Sequence, residues 1–338
     1  MNTLLPHKVC FFEVKDWEKS LINDNFKKDV MLCEETLTID NHVEFKDATV
    51  ISVFISSVLN EELLSKFPNL KVIATRSTGY DHVDLKYCQS KGITVCNVPS
   101  YGENTVAEHA MALLLALAKR IPESMDRVKQ GNFLPDGLTG IDLKDRVLGV
   151  IGTGHIGVNM IQMANGFKMK VIAYDAFPKP ALESELNFSY VDFNYLLKKS
   201  DAISIHVPYS EKTHHLINRD NVKDLKDKVI IINTSRGGII ETDALYDGLR
   251  SGKIGGAGLD VVEQEQFIKE ELELLHTDQH GQVDFKVALE NHMMAYFPNV
   301  IITPHNAFNS HEALMRIIKT TIENIVAYIN GEPKNLVK

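Results

Sequence analysis

Two long regions of the chain alternate short apolar runs with segments of helical period. In the first, Val9–Val14, Ala48–Ile55, Leu70–Thr75 and Ile93–Val98 read as buried strands, with Trp17–Phe26, Glu61–Phe67 and Asp84–Lys91 as the helices between them. In the second, the strands are Val147–Ile151, Lys170–Tyr174, Ala202–His206, Val229–Asn233, Gly255–Val261 and Val300–Thr303, separated by helices such as Asn159–Phe167, Asn194–Lys199 and Thr242–Ser251. Continuous apolar strands alternating with helices predict parallel sheets covered on both faces, hence an α/β fold. Between the regions, Asn104 or Thr105 is placed to cap a long helix running to about Arg120, apolar nearly all round and therefore buried. A last helix spans Ser310–Asn330, and positions 264–296, charged and broken at Gly281, read as an insertion.

The strand Val147–Ile151 runs into Gly152-Thr153-Gly154-His155-Ile156-Gly157. At this spacing Gly152 makes a tight turn, Gly154 admits a pyrophosphate to the backbone, and Gly157 lets the new helix pack on the sheet. The helix then offers unpaired N–H groups and its positive end to phosphate. Asp175 closes the next strand at about the 20-residue offset where an acid accepts ribose hydroxyls and repels a 2′-phosphate. Glycines alone would also suit an ordinary strand-to-helix turn. Strand, glycines, helix, second strand and acid in that order favour a dinucleotide site, with NAD preferred over NADP.

Composition narrows the partners. The 338 residues suffice for two domains, and 44% hydrophobic with 24% charged residues is ordinary for a soluble globular chain. A net charge of -9 argues against nucleic acid. Cys10, Cys33, Cys88 and Cys96 form no Cys-x-x-Cys pair and no zinc spacing, so neither a metal nor a disulfide framework is expected. Met1–Glu13 lacks the pattern of a signal peptide, and the longest apolar run, Met111–Ala118, is far short of the ~20 residues that cross a bilayer. A cytoplasmic location without membrane association is expected.

Three groups follow successive predicted strands. Arg236 lies in Asn233-Thr234-Ser235-Arg236-Gly237-Gly238, Glu265 in Asp260-Val261-Val262-Glu263-Gln264-Glu265, and His305 in Thr303-Pro304-His305-Asn306-Ala307-Phe308. Each alone is an ordinary surface or structural residue; together, beside a nicotinamide site, they meet the needs of hydride transfer to a 2-keto acid. Charge left on oxygen calls for a proton donor, and an imidazole suits neutral pH. A carboxylate keeps that ring oriented, and a guanidinium grips the substrate carboxylate bidentately.

In these residues, with Ser77-Thr78-Gly79 and Asn104-Thr105-Val106-Ala107-Glu108, the chain resembles the D-isomer-specific 2-hydroxyacid dehydrogenases over nearly its whole length. The resemblance implies two doubly wound parallel-sheet domains with a cleft between: an NAD-binding Rossmann domain, 103–305, inserted in a flavodoxin-like substrate domain, 1–102 plus 306–338. It implies that Arg236, Glu265 and His305 are catalytic. Cofactor contacts are implied for Thr105, Gly152, Gly154, His155, Ile156, Gly157, Asp175, Val207, Pro208, Thr213, Thr234, Ser235 and Asp260, and substrate contacts for Ser77, Thr78, Gly79, Tyr101 and Phe308. Within the family, Thr75–His82, Tyr101, Tyr174–Pro178 and His305–Phe308 look most like the D-lactate dehydrogenases, which implies NADH-dependent reduction of pyruvate. The alternatives are a bulkier 2-keto acid, glyoxylate or hydroxypyruvate, and, in another class, a non-catalytic NAD(H)-sensing protein that binds partners. A homodimer through the 104–120 helix region is implied as well.

Overall fold

The computed structural model describes residues 8–26, 30–265 and 284–337. The chain divides into two units, Met1–Tyr101 with Ser310–Lys338, and Gly102–Asn309.

In the first unit, β1 (Val9–Phe11), β2 (Val30–Leu32), β3 (Val50–Val53), β4 (Val72–Thr75) and β5 (Thr94–Cys96) form a parallel sheet in the order β2-β1-β3-β4-β5. That order is the flavodoxin-like one. Both faces are buried. On one, Ile318, Ile322 and Ile325 of the helix His311–Ile329 pack on Val9, Phe11, Val50, Val72 and Ala74. On the other, Phe12, Ile51, Leu64, Phe67 and Ile73 share a second core. Each fully buried Ile or Phe contributes about 1.5–3 kcal/mol, so the final helix is an integral part of this unit.

The second unit holds β6 (Val147–Ile151), β7 (Lys170–Tyr174), β8 (Ser189–Tyr190), β9 (Ala202–Ile205), β10 (Val229–Asn233), β11 (Ile254–Leu259) and β12 (Val300–Ile302). They pair in parallel as β12-β11-β10-β9-β6-β7-β8. Numbered from β6, this is the dinucleotide-fold order 3-2-1-4-5-6 with one strand added beyond it. The order reverses between β6 and β9, the position at which such sheets take a ligand.

Several elements depart from the sequence reading. The edge strands β2 and β8 were not expected, because edge strands are short and only half-buried and carry no full apolar run. The long helix begins at Glu103 with Gly102 as its cap, rather than Asn104 or Thr105, and stops at Ala118. Arg120 then turns left-handed at φ 53°, and a separate helix, Ile121–Lys129, begins with Pro122 in its first turn. Part of the 264–296 stretch is the helix Phe285–Ala295, capped by Asp284, whose side chain accepts from the N–H groups of Lys286 and Val287; its residues 266–283 lie outside those described.

Candidate active site

The glycine motif sits where β6 hands over to the helix His155–Gly166. Gly152 has φ 95°, and a Cβ there would fall 2.5 Å from the carbonyl oxygen of His206, at the end of β9. A Cβ on Gly157 would fall 2.0 Å from the carbonyl oxygen of Gly152, so helix and turn are in direct backbone contact. Gly154 caps the helix without a side-chain hydrogen bond and has open space where its Cβ would be. The first-turn N–H groups have no partner within the helix, so this end presents donors and a positive dipole to an anion.

Asp175 ends β7 and lies beside that turn. Its Oδ2 accepts from the Thr153 N–H at 2.7 Å and hydroxyl at 2.8 Å, and its Oδ1 accepts from Phe177 N–H at 2.8 Å. Burial pushes this carboxyl up, but the hydrogen bonds from Thr153 and Phe177, with Lys179 nearby, outweigh it and hold it below the usual range. Two buried polar atoms at the neighbouring strand ends, His206 Nδ1 after β9 and Thr234 Oγ1 after β10, have no hydrogen-bond partner among the described residues. Burial pushes the His206 imidazole down to about 3. An open glycine turn, an anionic side chain one strand over and buried polar atoms awaiting partners fit a dinucleotide laid across the switch point. Val207 and Pro208 begin the loop after β9, which Thr213 closes by donating to Pro208 O at 2.7 Å.

The candidate chemistry lies at the same sheet edge. β10, β11 and β12 are neighbours, and Arg236, Glu265 and His305 follow them in that order. His305 Nδ1 is 2.6 Å from Glu265 Oε1, with both side chains partly exposed. Because the carboxylate only accepts, Nδ1 carries the proton in this pair and Nε2 faces away from it. His305 is left-handed at φ 52°, a conformation that costs a non-glycine residue ~1 kcal/mol or more. Its N–H bonds to Asp260 O and Thr303 O, each at 2.9 Å, and hold it there.

Arg236 stands in extended backbone one residue before a short 3₁₀ turn, Gly237–Ile239. Asn233 organises this loop: its amide nitrogen donates to Arg236 O at 2.9 Å and its amide oxygen accepts from Ser235 N–H at 3.0 Å. Ser235 in turn donates to Ile205 O at 2.8 Å. Asp260 is buried and both its oxygens engage the chain itself, accepting from Thr303, Asn306 and Ala307. Thr105 is buried in its helix, and Phe308 is half-buried just past His305.

Ser77, Thr78, Gly79 and Tyr101 belong to the first unit. The loop after β4 is stitched by Ser77 donating to Gly79 O at 2.6 Å and Thr78 donating to Val98 O at 2.7 Å. Beneath it lies a buried polar cluster that sequence reasoning passed over. Arg76 donates to Phe12 O at 2.7 Å and Glu13 O at 3.0 Å and is 3.6 Å from the Glu18 carboxylate, while Glu13 accepts from Phe54 N–H, Ser56 N–H and the Ser57 hydroxyl. Burial pushes the Arg76 guanidinium down, against Glu18 and Glu13. The contacts of His109 with Thr303 and of His215 with Glu263 could not be read from the sequence, since the partners lie far apart in it. Among the described residues no group of three or more His, Cys, Asp or Glu is arranged to hold a metal, and no helix is long and apolar enough to cross a membrane.

Fold and site define a class, the dinucleotide-dependent oxidoreductases. The profile of the "D-isomer specific 2-hydroxyacid dehydrogenase, NAD binding domain" matches residues 111–307. The solved D-lactate dehydrogenase of Aquifex aeolicus, complexed with NAD and lactic acid, superposes with a TM-score of 0.86 at 39% identity, over 97% of this chain and 98% of that one. A glyoxylate reductase of Thermococcus litoralis is 37% identical over 300 residues, 86% of this chain and 84% of the relative. An aromatic 2-oxoacid reductase of Clostridium sporogenes is 36% identical over 289 residues, 84% of each. The chain belongs to the D-isomer specific 2-hydroxyacid dehydrogenase family, and its cofactor is NAD.

Proposed function

We propose that the chain is an NAD-dependent D-lactate dehydrogenase that reduces pyruvate. The observation that carries the chemistry is the 2.6 Å contact between His305 Nδ1 and Glu265 Oε1 at the strand edge that also carries Arg236. Arg236 grips the substrate carboxylate as a fork and draws charge toward the carbonyl. His305 donates a proton from Nε2 to the developing alkoxide, and Glu265 fixes the ring's tautomer and orientation through Nδ1. The N–H groups of the Gly152–Gly157 turn hold the cofactor's pyrophosphate, Asp175 its adenosine ribose, and Val207, Pro208 and Thr234 the strand ends beside it. NADH, when bound, supplies the hydride.

Pyruvate is favoured as substrate by the 39% identity to a D-lactate dehydrogenase and by the motifs around Tyr101 and Phe308. Relatives that act on glyoxylate and on aromatic 2-oxoacids make those the competitors. The test is NADH consumption with pyruvate, glyoxylate, hydroxypyruvate and an aromatic 2-keto acid, together with oxidation of D- and L-lactate. The highest kcat/KM is expected for pyruvate, with D- but not L-lactate oxidised. No turnover of either pyruvate or D-lactate would remove the lactate assignment.

We further propose a homodimer, with its contact moved from the expected place. The helix Glu103–Ala118 buries Ala107, Ala110, Met111, Leu113, Leu114 and Ala118 in its own unit, largely against the helix His155–Gly166, so its apolar side is occupied. The next helix, Ile121–Lys129, buries none of its residues and exposes Ile121, Met125 and Val128, followed by Phe133 and Leu134. That face is the one offered to a second copy.

A further inference from the structure

The helix Glu103–Ala118 carries His109 to within 3.0 Å of Thr303 Oγ1 and 3.6 Å of Asp260 Oδ1. Thr303 is the residue before Pro304 and His305. We propose that His109 is a positioning residue for His305, acting through Thr303 and Asp260; the proposal rests on the reading of His305 as the proton donor.

The hydrogen-bond directions follow from proton count. Asp260 has its side chain 1% exposed and accepts three bonds: from the Thr303 hydroxyl at 2.5 Å and Asn306 N–H at 2.9 Å on Oδ1, and from Ala307 N–H at 2.8 Å on Oδ2. Thr303 has one proton and gives it to Asp260, so its oxygen accepts from His109 Nε2, which must therefore carry hydrogen. His109 thereby fixes the rotamer of the hydroxyl, and its Nε2 also lies 3.6 Å from Asp260 Oδ1. Asp260 in turn grips the N–H groups of the two residues that follow His305, while its backbone oxygen accepts the N–H of His305 itself. The backbone N–H groups of His305, Asn306 and Ala307 thus all bond to Asp260 or Thr303, and the imidazole at 109 contacts both side chains.

Without that donor the Thr303 hydroxyl loses its fixed direction and the buried carboxylate loses its nearest cation-capable neighbour. The turn then relaxes, and the ring of His305 is no longer held at one place. Displacements of about 1 Å at a reacting group cost up to ~100-fold in rate. A partial loosening is therefore expected to cost ~10-fold.

Two substitutions in the full-length protein separate positioning from mere packing. His109→Leu keeps bulk and removes the donor, whereas His109→Gln places an amide N–H near the position of Nε2. For His109→Leu we expect amide hydrogen exchange at Asn306 and Ala307 to accelerate ~10-fold, and kcat to fall ~10-fold with KM for NADH unchanged. His109→Gln is expected to restore both. Should His109→Leu fail to fold, Thr303→Val breaks the same link and is expected to show the same exchange at Asn306 and Ala307. Unaltered protection and kcat in His109→Leu, or equal damage in the Leu and Gln variants, would overturn the proposal. The exchange measurement needs no turnover, so an inactive wild type would sink the functional reading while leaving the role of His109 decidable.

Discussion

At the scale of single residues, geometry sets different consequences for three charged side chains. Arg236→Lys keeps the charge but loses the planar fork, so KM for the keto acid is expected to rise ~10-fold or more, with KM for NADH little changed. Unchanged keto-acid kinetics would remove the carboxylate role. Asp175 is an anion held below the usual carboxylate range beside the Gly152 turn. Asp175→Ala is expected to narrow the preference for NADH over NADPH, read as the ratio of the two kcat/KM values. Arg76 is 2% exposed and lies among Phe12 O, Glu13 O and the buried Glu18. Arg76→Leu strands Glu18 and two carbonyls, and breaking such a buried pair costs about 3–5 kcal/mol. The midpoint of urea unfolding is expected to fall accordingly with an unchanged slope.

At the scale of elements, the helix Phe285–Ala295 joins the helix Thr242–Ser251 through a charged contact. Asp243 bonds Lys286 and sits 2.6 Å from Arg219, while Glu290 is buried beside it, 3.7 Å from Lys286 and with Oε2 lacking a partner. Burial, reinforced by the hydrogen bond to and repulsion from Asp243 and opposed by Lys286, pushes Glu290 up from 4.5 to about 7. The folded state then holds a proton that the unfolded state has lost between pH 4.5 and 7, so this group's stabilisation falls as pH rises through that window. Glu290→Gln keeps a neutral donor to Asp243 and should flatten the dependence, leaving the variant more stable than wild type by ~1 kcal/mol above pH 7. Parallel unfolding curves for the two proteins from pH 5 to about 8 would refute it. The same contact explains why this helix was hard to read: its pattern is settled by partners forty residues away, not by local period. The buried strands of both sheets and the glycine turn were legible because their signals are local. Edge strands β2 and β8, half-exposed and two or three residues long, leave no such mark.

At the scale of the whole molecule, sequence order also governed which parts of the site could be read. Arg236, Glu265 and His305 were nameable because each follows a recognisable strand and has a chemical role. His109, by contrast, is one polar residue in an apolar helix, and only the tertiary contact with Thr303 gives it meaning. The same limit applies to the proposed dimer: an all-round apolar helix signals burial but not against what. In the fold, Glu103–Ala118 is satisfied within its unit, and the exposed apolar positions fall on Ile121–Lys129 at the i, i+4, i+7 spacing of Ile121, Met125 and Val128. Phe133, 77% exposed, and Leu134, 64% exposed, add two more exposed apolar side chains just after the helix. A net charge of -9 opposes close approach of two copies, so apolar burial must overcome repulsion, and added salt should strengthen rather than weaken the association. Met125→Asp puts a charge in the middle of the stripe. Light scattering on a size-exclusion column is expected to give a dimer for the wild type and a monomer for Met125→Asp, with salt shifting any mixed population toward dimer. A wild type that elutes as a monomer at micromolar concentration, or a Met125→Asp variant that remains dimeric, would place the contact elsewhere or abolish it.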